Sequence, residues 1–275
     1  MAEEGQFTTP DGVKLYQRSW PIDSPTAHLI LLHGYGEHCG RYDHVAAHFN
    51  ALGFSVWSYD HRYHGNSPGK LGSISAFRHL VDDAKAFLAH MDQELGESPK
   101  LVMGHSMGGL VLAHVLTSTQ VNANGAIFSS AFLSLKEVNP ALLALAGVLS
   151  KLVPWLPVED LPADSVSRIP EVVQAYETDP LNNHNKINAR TGAELAAAVN
   201  EVRPKLRDIT LPLYIIHGDA DALVPCDASI YLNEQSTAPD KSFTLYPGGY
   251  HELMNDLDQE AVLQAMGDWA VAHCQ

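Results

Sequence analysis

The chain has 275 residues and a formal charge of −15, from 17 Lys and Arg against 32 Asp and Glu, so it repels phosphate backbones and nucleic acid is excluded as a partner. That length suits one large core with room for a modest insertion, and 45% hydrophobic with 18% charged residues describes an ordered globular protein rather than a fibrous or disordered one. Three cysteines, Cys39, Cys226 and Cys274, are an odd number without CxxC spacing, which predicts reduced thiols and neither a disulfide framework nor a zinc site.

The start, MAEEGQFTTPDG, is acidic and polar where a secretory signal is basic and then apolar, and Asn66-Ser67 runs into Pro68, which spoils the glycosylation pattern. A cytoplasmic location is the expectation. Short apolar runs at His28–Leu32, Phe54–Tyr59, Leu101–Met103, Ala126–Phe128, Leu213–Ile216 and Phe243–Tyr246 predict buried strands. Helical spacing lies between several of them, as in Phe77–Leu95, where Leu80, Ala84, Phe87, Leu88 and Met91 share a face opposite Asp82, Asp83 and Lys85. The alternation predicts an α/β protein with a mostly parallel sheet covered on both faces.

The first of these strands runs into His33-Gly34-Tyr35-Gly36-Glu37-His38. Gly34, Gly36 and Gly40 suggest a dinucleotide fingerprint, but the spacing is G-x-G-x-x-x-G and the acid at the next strand end, Asp60, is followed by His61-Arg62, so that function is set aside. His44/His48 and His61/His64 have metal-pair spacing without the H-E-x-x-H chemistry, and solvated or helix-packed roles are expected for them.

Strand Lys100–Met103 is followed by Gly104-His105-Ser106-Met107-Gly108-Gly109 and then by a helical segment from Leu110. Strand, G-x-S-x-G and helix together predict a nucleophilic serine on a tight turn, where glycines let strand and helix approach and the free N–H groups of the helix start face the developing negative charge. A second backbone donor should come from an earlier strand end, and the H-G-x-G run supplies it: Tyr35 and Met107 are the predicted oxyanion donors.

From about Leu133 to Arg203 no strand is predicted, and Leu142, Leu143, Leu145, Val148, Leu149, Leu152, Val153, Trp155 and Leu156 crowd together. Too long for a loop, this segment reads as a helical insertion. The chain thus divides into core residues 1–132, an inserted cap over 133–203, and the remaining core over 204–275. The longest apolar run, Ala141 to Leu149, reaches about half of the ~20 residues a bilayer span needs. The stretch from Leu142 to Leu156 either packs the cap onto the core or lines an acyl tunnel with Trp155 near its entrance, where transient contact with a membrane surface would be made.

A serine nucleophile requires a histidine base held by a carboxylate. After the cap, one strand ends in His217-Gly218-Asp219-Ala220-Asp221 and the next in Pro247-Gly248-Gly249-Tyr250-His251, giving the chain order Ser, Asp, His. Either Asp219 or Asp221 can reach His251 from a turn. Asp221 is favoured, with Asp219 as a turn former.

Taken together, these residues resemble the monoacylglycerol lipase and lysophospholipase-like branch of the α/β-hydrolases, also grouped with serine aminopeptidases. The likeness runs along nearly the whole chain. It includes His33 to His38 with Gly40-Arg41-Tyr42, Asp60-His61-Arg62-Tyr63-His64-Gly65-Asn66-Ser67, Gly104 to Gly109, Tyr176 with Asp179-Pro180-Leu181, His217 to Asp221, and Tyr250-His251. It implies the α/β-hydrolase fold with an inserted cap, a Ser106–Asp221–His251 triad, oxyanion donors at Tyr35 and Met107, and Glu37, Arg41 and Tyr176 near the polar end of the pocket, where the glycerol part of a monoglyceride binds or leaves. Met254 and Val224 stand where members often have a second histidine and a cysteine. The implied activity is hydrolysis of a small, lipid-derived carboxylic ester, releasing a fatty acid and glycerol through an acyl-enzyme on Ser106, with no metal or organic cofactor. A shorter-chain carboxylesterase, a lysophospholipase, a serine peptidase or amidase, and a non-catalytic receptor of the same fold are the alternatives. The sequence is silent on oligomeric state.

Overall fold

The computed structural model of the chain describes residues 2–136, 138 and 140–274. Its strands are β1 (Glu3–Thr8), β2 (Lys14–Trp20), β3 (Ala27–Leu32), β4 (Phe54–Tyr59), β5 (Lys100–His105), β6 (Gly125–Ser129), β7 (Pro157–Glu159), β8 (Ile187–Asn188), β9 (Leu213–Gly218) and β10 (Lys241–Tyr246). Its helices are α1 (Asp43–Ala51), α2 (Phe77–Leu95), α3 (Met107–Leu116), α4 (Pro140–Leu152), α5 (Pro170–Thr178), α6 (Ala189–Val202), α7 (Asp227–Gln235) and α8 (Gln259–Cys274).

Eight strands form one sheet in the order β1-β2-β4-β3-β5-β6-β9-β10. β1–β2 and β2–β4 pair antiparallel, and every later neighbour is parallel. The central strands are apolar on both faces because both are covered. Ile30, Leu32, Val102, Phe128 and Ile215 point into a core shared with α2, α3 and α6, while Leu29, Leu31, Met103, Ile127 and Ile216 point into one shared with α1 and α8. The fold is that of the α/β-hydrolases.

From β3 the chain crosses to β4 on one side and then returns to β5 on the other. The sheet therefore reverses its winding between β3 and β5, and at such a switch point the loops beyond the carboxyl strand ends part to leave a crevice. Register aligns those ends: Leu32 pairs with Gly104, His105 with Ser129, Ser129 with Ile216, and Gly218 with Tyr246. The loops after β3, β5, β9 and β10 thus leave one edge together.

Between β6 and β9 lie α4, β7, α5, β8 and α6. The expectation of no strand here is corrected by the small antiparallel pair of β7 with β8; each is too short to leave a periodic signal. α6 sends Leu195, Ala198, Val199 and Val202 into the core beside α2 and α3. Of the apolar run anticipated in α4, the side chains of Leu142 and Leu143 lie outside the described residues. Among the described residues no helix is long and apolar enough to cross a membrane.

Candidate active site

β5 enters the site through Gly104, and α3 leaves it through Gly108. A methyl group on Gly104 would stand 2.5 Å from the Gly108 carbonyl oxygen, and one on Gly108 would stand 2.1 Å from that of Leu32. Strand and helix meet backbone to backbone, which only glycine permits. Between them Ser106 is held at φ 52° and ψ −117°, a strained conformation for a residue with a Cβ. The turn is braced by Ser106 N–H to Ser129 O at 3.0 Å and by Phe132 N–H to Ser106 O at 3.0 Å. Ser106 lines a cavity of about 80 Å³ with Gly34, Tyr35, Glu37, His105, Met107, Tyr176, His251 and Glu252.

His251 lines the same cavity as Ser106, and Asp221 stands against its ring. Of the two candidate acids, Asp221 is the one that meets the histidine, its Oδ2 lying 2.7 Å from His251 Nδ1. Its Oδ1 accepts the N–H groups of Leu223 and Val224, each at 2.9 Å. Burial pushes the Asp221 carboxyl up, but the imidazole of His251 and the bond from His217 outweigh it and hold the group well below the usual carboxylate range. For His251, burial pulls the imidazole down, while the adjacent Asp221 carboxylate more than compensates and raises it above its ordinary 6.5. Asp219 instead accepts the Gly248 N–H at 2.6 Å, bracing the turn before His251. Gly218 packs against that turn so closely that a Cβ would stand 2.1 Å from Gly249 O.

The sequence reading passed over His217. Its Nε2 lies 2.8 Å from Val224 O and 3.1 Å from Asp221 Oδ2, and its Nδ1 lies 2.7 Å from Ser229 Oγ. A carbonyl only accepts, so Nε2 carries the proton and Nδ1 accepts from the serine hydroxyl. The four-residue spacing to Asp221 was the available signal.

In the loop after β3, His33 Nε2 accepts the His61 N–H at 2.9 Å, so its Nδ1 proton is donated to Gly34 O at 2.8 Å. Burial drives this ring down to about 4, which keeps it neutral and in that tautomer. The N–H of Gly34 donates to Glu37 Oε1 at 2.6 Å. Among the described residues, the N–H groups of Tyr35 and Met107 have no hydrogen-bond partner. Both residues line the cavity beside Ser106.

Glu37 and Tyr176 reach the same cavity. Arg41 lies behind them, its Nη1 on Glu37 Oε2 at 2.9 Å and on Glu252 Oε1 at 2.6 Å, its Nη2 on Glu252 Oε2 at 2.8 Å, and its guanidinium 4.9 Å over the Tyr176 ring. Glu252 was not anticipated, because burial of a charged side chain leaves no local mark in a sequence. Trp155 is not brought to the site: it is 68% exposed and lines neither the serine cavity nor the larger one beside it. His61 and His64, expected to be solvated or helix-packed, are instead buried in the loop after β4, 4.5 and 5.5 Å from the His33 ring. His44 lies on α1 and meets Met254 O at 2.8 Å.

The larger cavity, about 290 Å³, is walled by apolar groups including Leu149, Val158, Ala196 and Pro225. It shares Phe132, Leu161, Ile187, Leu195 and Leu223 with the serine cavity, so the two adjoin, and the larger one is mostly hydrocarbon with Ser134, Glu159 and Asp160 also on its wall.

A family model described as serine aminopeptidase, S33, matches residues 23–258. Monoacylglycerol lipase of Mycolicibacterium smegmatis is 36% identical, over 98% of this chain and 97% of that one. Human monoglyceride lipase is 31% identical, over 90% of this chain and 83% of that one. The crystal structure of Paleococcus ferrophilus monoacylglycerol lipase superposes with a TM-score of 0.83 at 30% identity, covering 94% of this chain and 99% of the other. With the nucleophile elbow, the winding of the sheet and matches of that extent in agreement, the chain belongs to the serine aminopeptidase S33 family of α/β-hydrolases.

Proposed function

We propose that the protein is a monoacylglycerol-lipase-like serine ester hydrolase acting through Ser106, His251 and Asp221. The observation that carries this is the convergence of a strained serine, a carboxylate-bound imidazole and two partnerless backbone N–H groups at the mouth of an apolar cavity. Relatives named as monoacylglycerol lipases support the substrate class.

The Ser106 hydroxyl attacks the ester carbonyl while His251 Nε2 takes its proton and Asp221 holds the Nδ1 side of the ring. The tetrahedral oxygen accepts from Tyr35 and Met107 N–H, each such donor being worth about 2.7–4 kcal/mol. Collapse expels the alcohol, which takes the proton from His251, and a water deprotonated by His251 then frees the fatty acid. The acyl chain extends into the larger cavity, where each buried methylene adds about 0.8 kcal/mol, roughly fourfold in affinity.

Residues 133–203 act as the cap over the core formed by 1–132 and 204–275, α4 and the β7 region walling the acyl chamber. The outer side of α4 and the turn after it are also apolar: Leu145, Val148, Leu152, Trp155 and Leu156 are exposed. A helix apolar on both sides, one on the chamber and one on solvent, suits transient contact with a lipid surface.

Hydrolysis of p-nitrophenyl esters from acetate to palmitate, alongside monoolein, tests this reading. The wild-type protein is expected to cleave monoolein and to favour medium or long chains, and Ser106→Ala to be inactive. Turnover of acetate and butyrate alone would make it a small-ester carboxylesterase, and turnover of amides alone a peptidase.

A further inference from the structure

We infer that Arg41, Glu37 and Glu252 are positioning residues that lock the oxyanion loop to the His251 loop, and not a binding site for the alcohol half of the substrate; this rests on the ester-hydrolase reading above. All three are almost wholly shielded from solvent, and both terminal nitrogens of Arg41 and all four carboxylate oxygens are already used. The Arg41 guanidinium is held on two edges by carboxylates and covered on one face by Tyr176. Glu37 Oε1 accepts Gly34 N–H at 2.6 Å and the Tyr42 hydroxyl at 2.8 Å, and its Oε2 takes Arg41. Glu252 takes both arms of Arg41 and the Asn255 amide at 2.9 Å. Little donor or acceptor capacity is left for a ligand hydroxyl.

The network ends where catalysis needs rigidity. Gly34 has no Cβ to restrict it, yet its N–H is pinned by Glu37 and its C=O by His33. The peptide unit that carries the Gly34 carbonyl also carries the Tyr35 N–H, and because that unit is planar and trans, fixing one end aims the other. A Cβ on Gly34 would stand 3.2 Å from Ser106 Cβ, so the aim is set against the nucleophile itself. At its far end the network closes on Glu252, the residue after the base, whose own N–H donates to Val166 O at 2.8 Å. Two carboxylates against one guanidinium also leave a negative charge beside His251, favouring the imidazolium formed during attack.

The test compares wild type, Arg41→Lys and Glu252→Gln on 1-monooctanoylglycerol and on p-nitrophenyl octanoate, which share an acyl group but not an alcohol. Lysine keeps the charge of Arg41 without its two-armed geometry. Both variants are expected to lose kcat by roughly 10- to 100-fold on both esters alike, with KM little changed. Glu252→Gln is further expected to move the acid limb of the kcat/KM profile to lower pH. A loss confined to the glyceride and expressed as a raised KM would overturn the inference and return these residues to an alcohol site, as would unchanged kcat on both esters. If Arg41→Lys lacks a cooperative thermal transition, the near-isosteric Glu252→Gln carries the comparison. Wild-type inactivity on both esters would overturn the ester-hydrolase reading instead.

Discussion

Ser106 sits in a backbone conformation that costs about 1–3 kcal/mol, and the surrounding contacts hold it there: glycines on both sides and β6 beneath. In the proposed mechanism His251 is the residue whose protonation state governs attack. Only the neutral ring accepts the serine proton, so activity falls as pH drops through its pKa. Burial alone would place that midpoint below 6.5, but the Asp221 carboxylate at 2.7 Å raises it above. The kcat/KM profile on a p-nitrophenyl ester is therefore expected to have an acid limb centred above pH 6.5, and Asp221→Asn to lower both the limb and the rate by several orders of magnitude. A limb that Asp221→Asn leaves in place would contradict the assignment. From sequence alone either Asp219 or Asp221 could reach His251, with Asp221 favoured; the pairing of β9 with β10 gives Asp219 to Gly248 and Asp221 to His251.

The elements were legible in proportion to their burial. β3, β4, β5, β6 and β9 were read nearly to their ends, because central strands covered on both faces are continuous apolar runs, and the edge strand β10 was read only over Phe243–Tyr246 of its Lys241–Tyr246 span. α2 was read over its full Phe77–Leu95 span from the single stripe it buries. The β1–β2 hairpin went unread because β1 buries only Phe7 and neither strand keeps a clean alternation. α4 was read as apolar, yet its apolarity did not reveal which side meets the chamber. Ala146 and Leu149 line it, while Leu152 is 71% exposed. Leu152→Glu is accordingly expected to leave p-nitrophenyl butyrate turnover in solution unchanged and to reduce hydrolysis of monoolein in neutral phosphatidylcholine vesicles roughly tenfold, by removing apolar contact and adding a charge. Equal rates on vesicles would show that α4 does not dock there.

For the whole molecule, a formal charge of −15 pairs with a chamber that is mostly apolar. Acidic surface repels a fatty-acid carboxylate once it leaves the pocket and disfavours anionic lipid surfaces, with a range set by the Debye length of about 8 Å at physiological salt. Neutral, uncharged glycerides are the lipids such a surface tolerates best. The proposed cap is not an appendage in packing terms, since α6 shares a core with α2 and α3. The break in strand rhythm marked the segment between β6 and β9, whereas the buried charges at Arg41, Glu37 and Glu252 became visible only when loops from opposite ends of the sequence met. The proposed function places the chemistry on one serine. Labelling the protein with a fluorophosphonate, locating the adduct by peptide mass and following ester turnover in parallel tests that claim most directly. One adduct per chain, on Ser106, with turnover lost in step, is the expected result; an adduct on another residue, or full turnover after Ser106 is blocked, would contradict it.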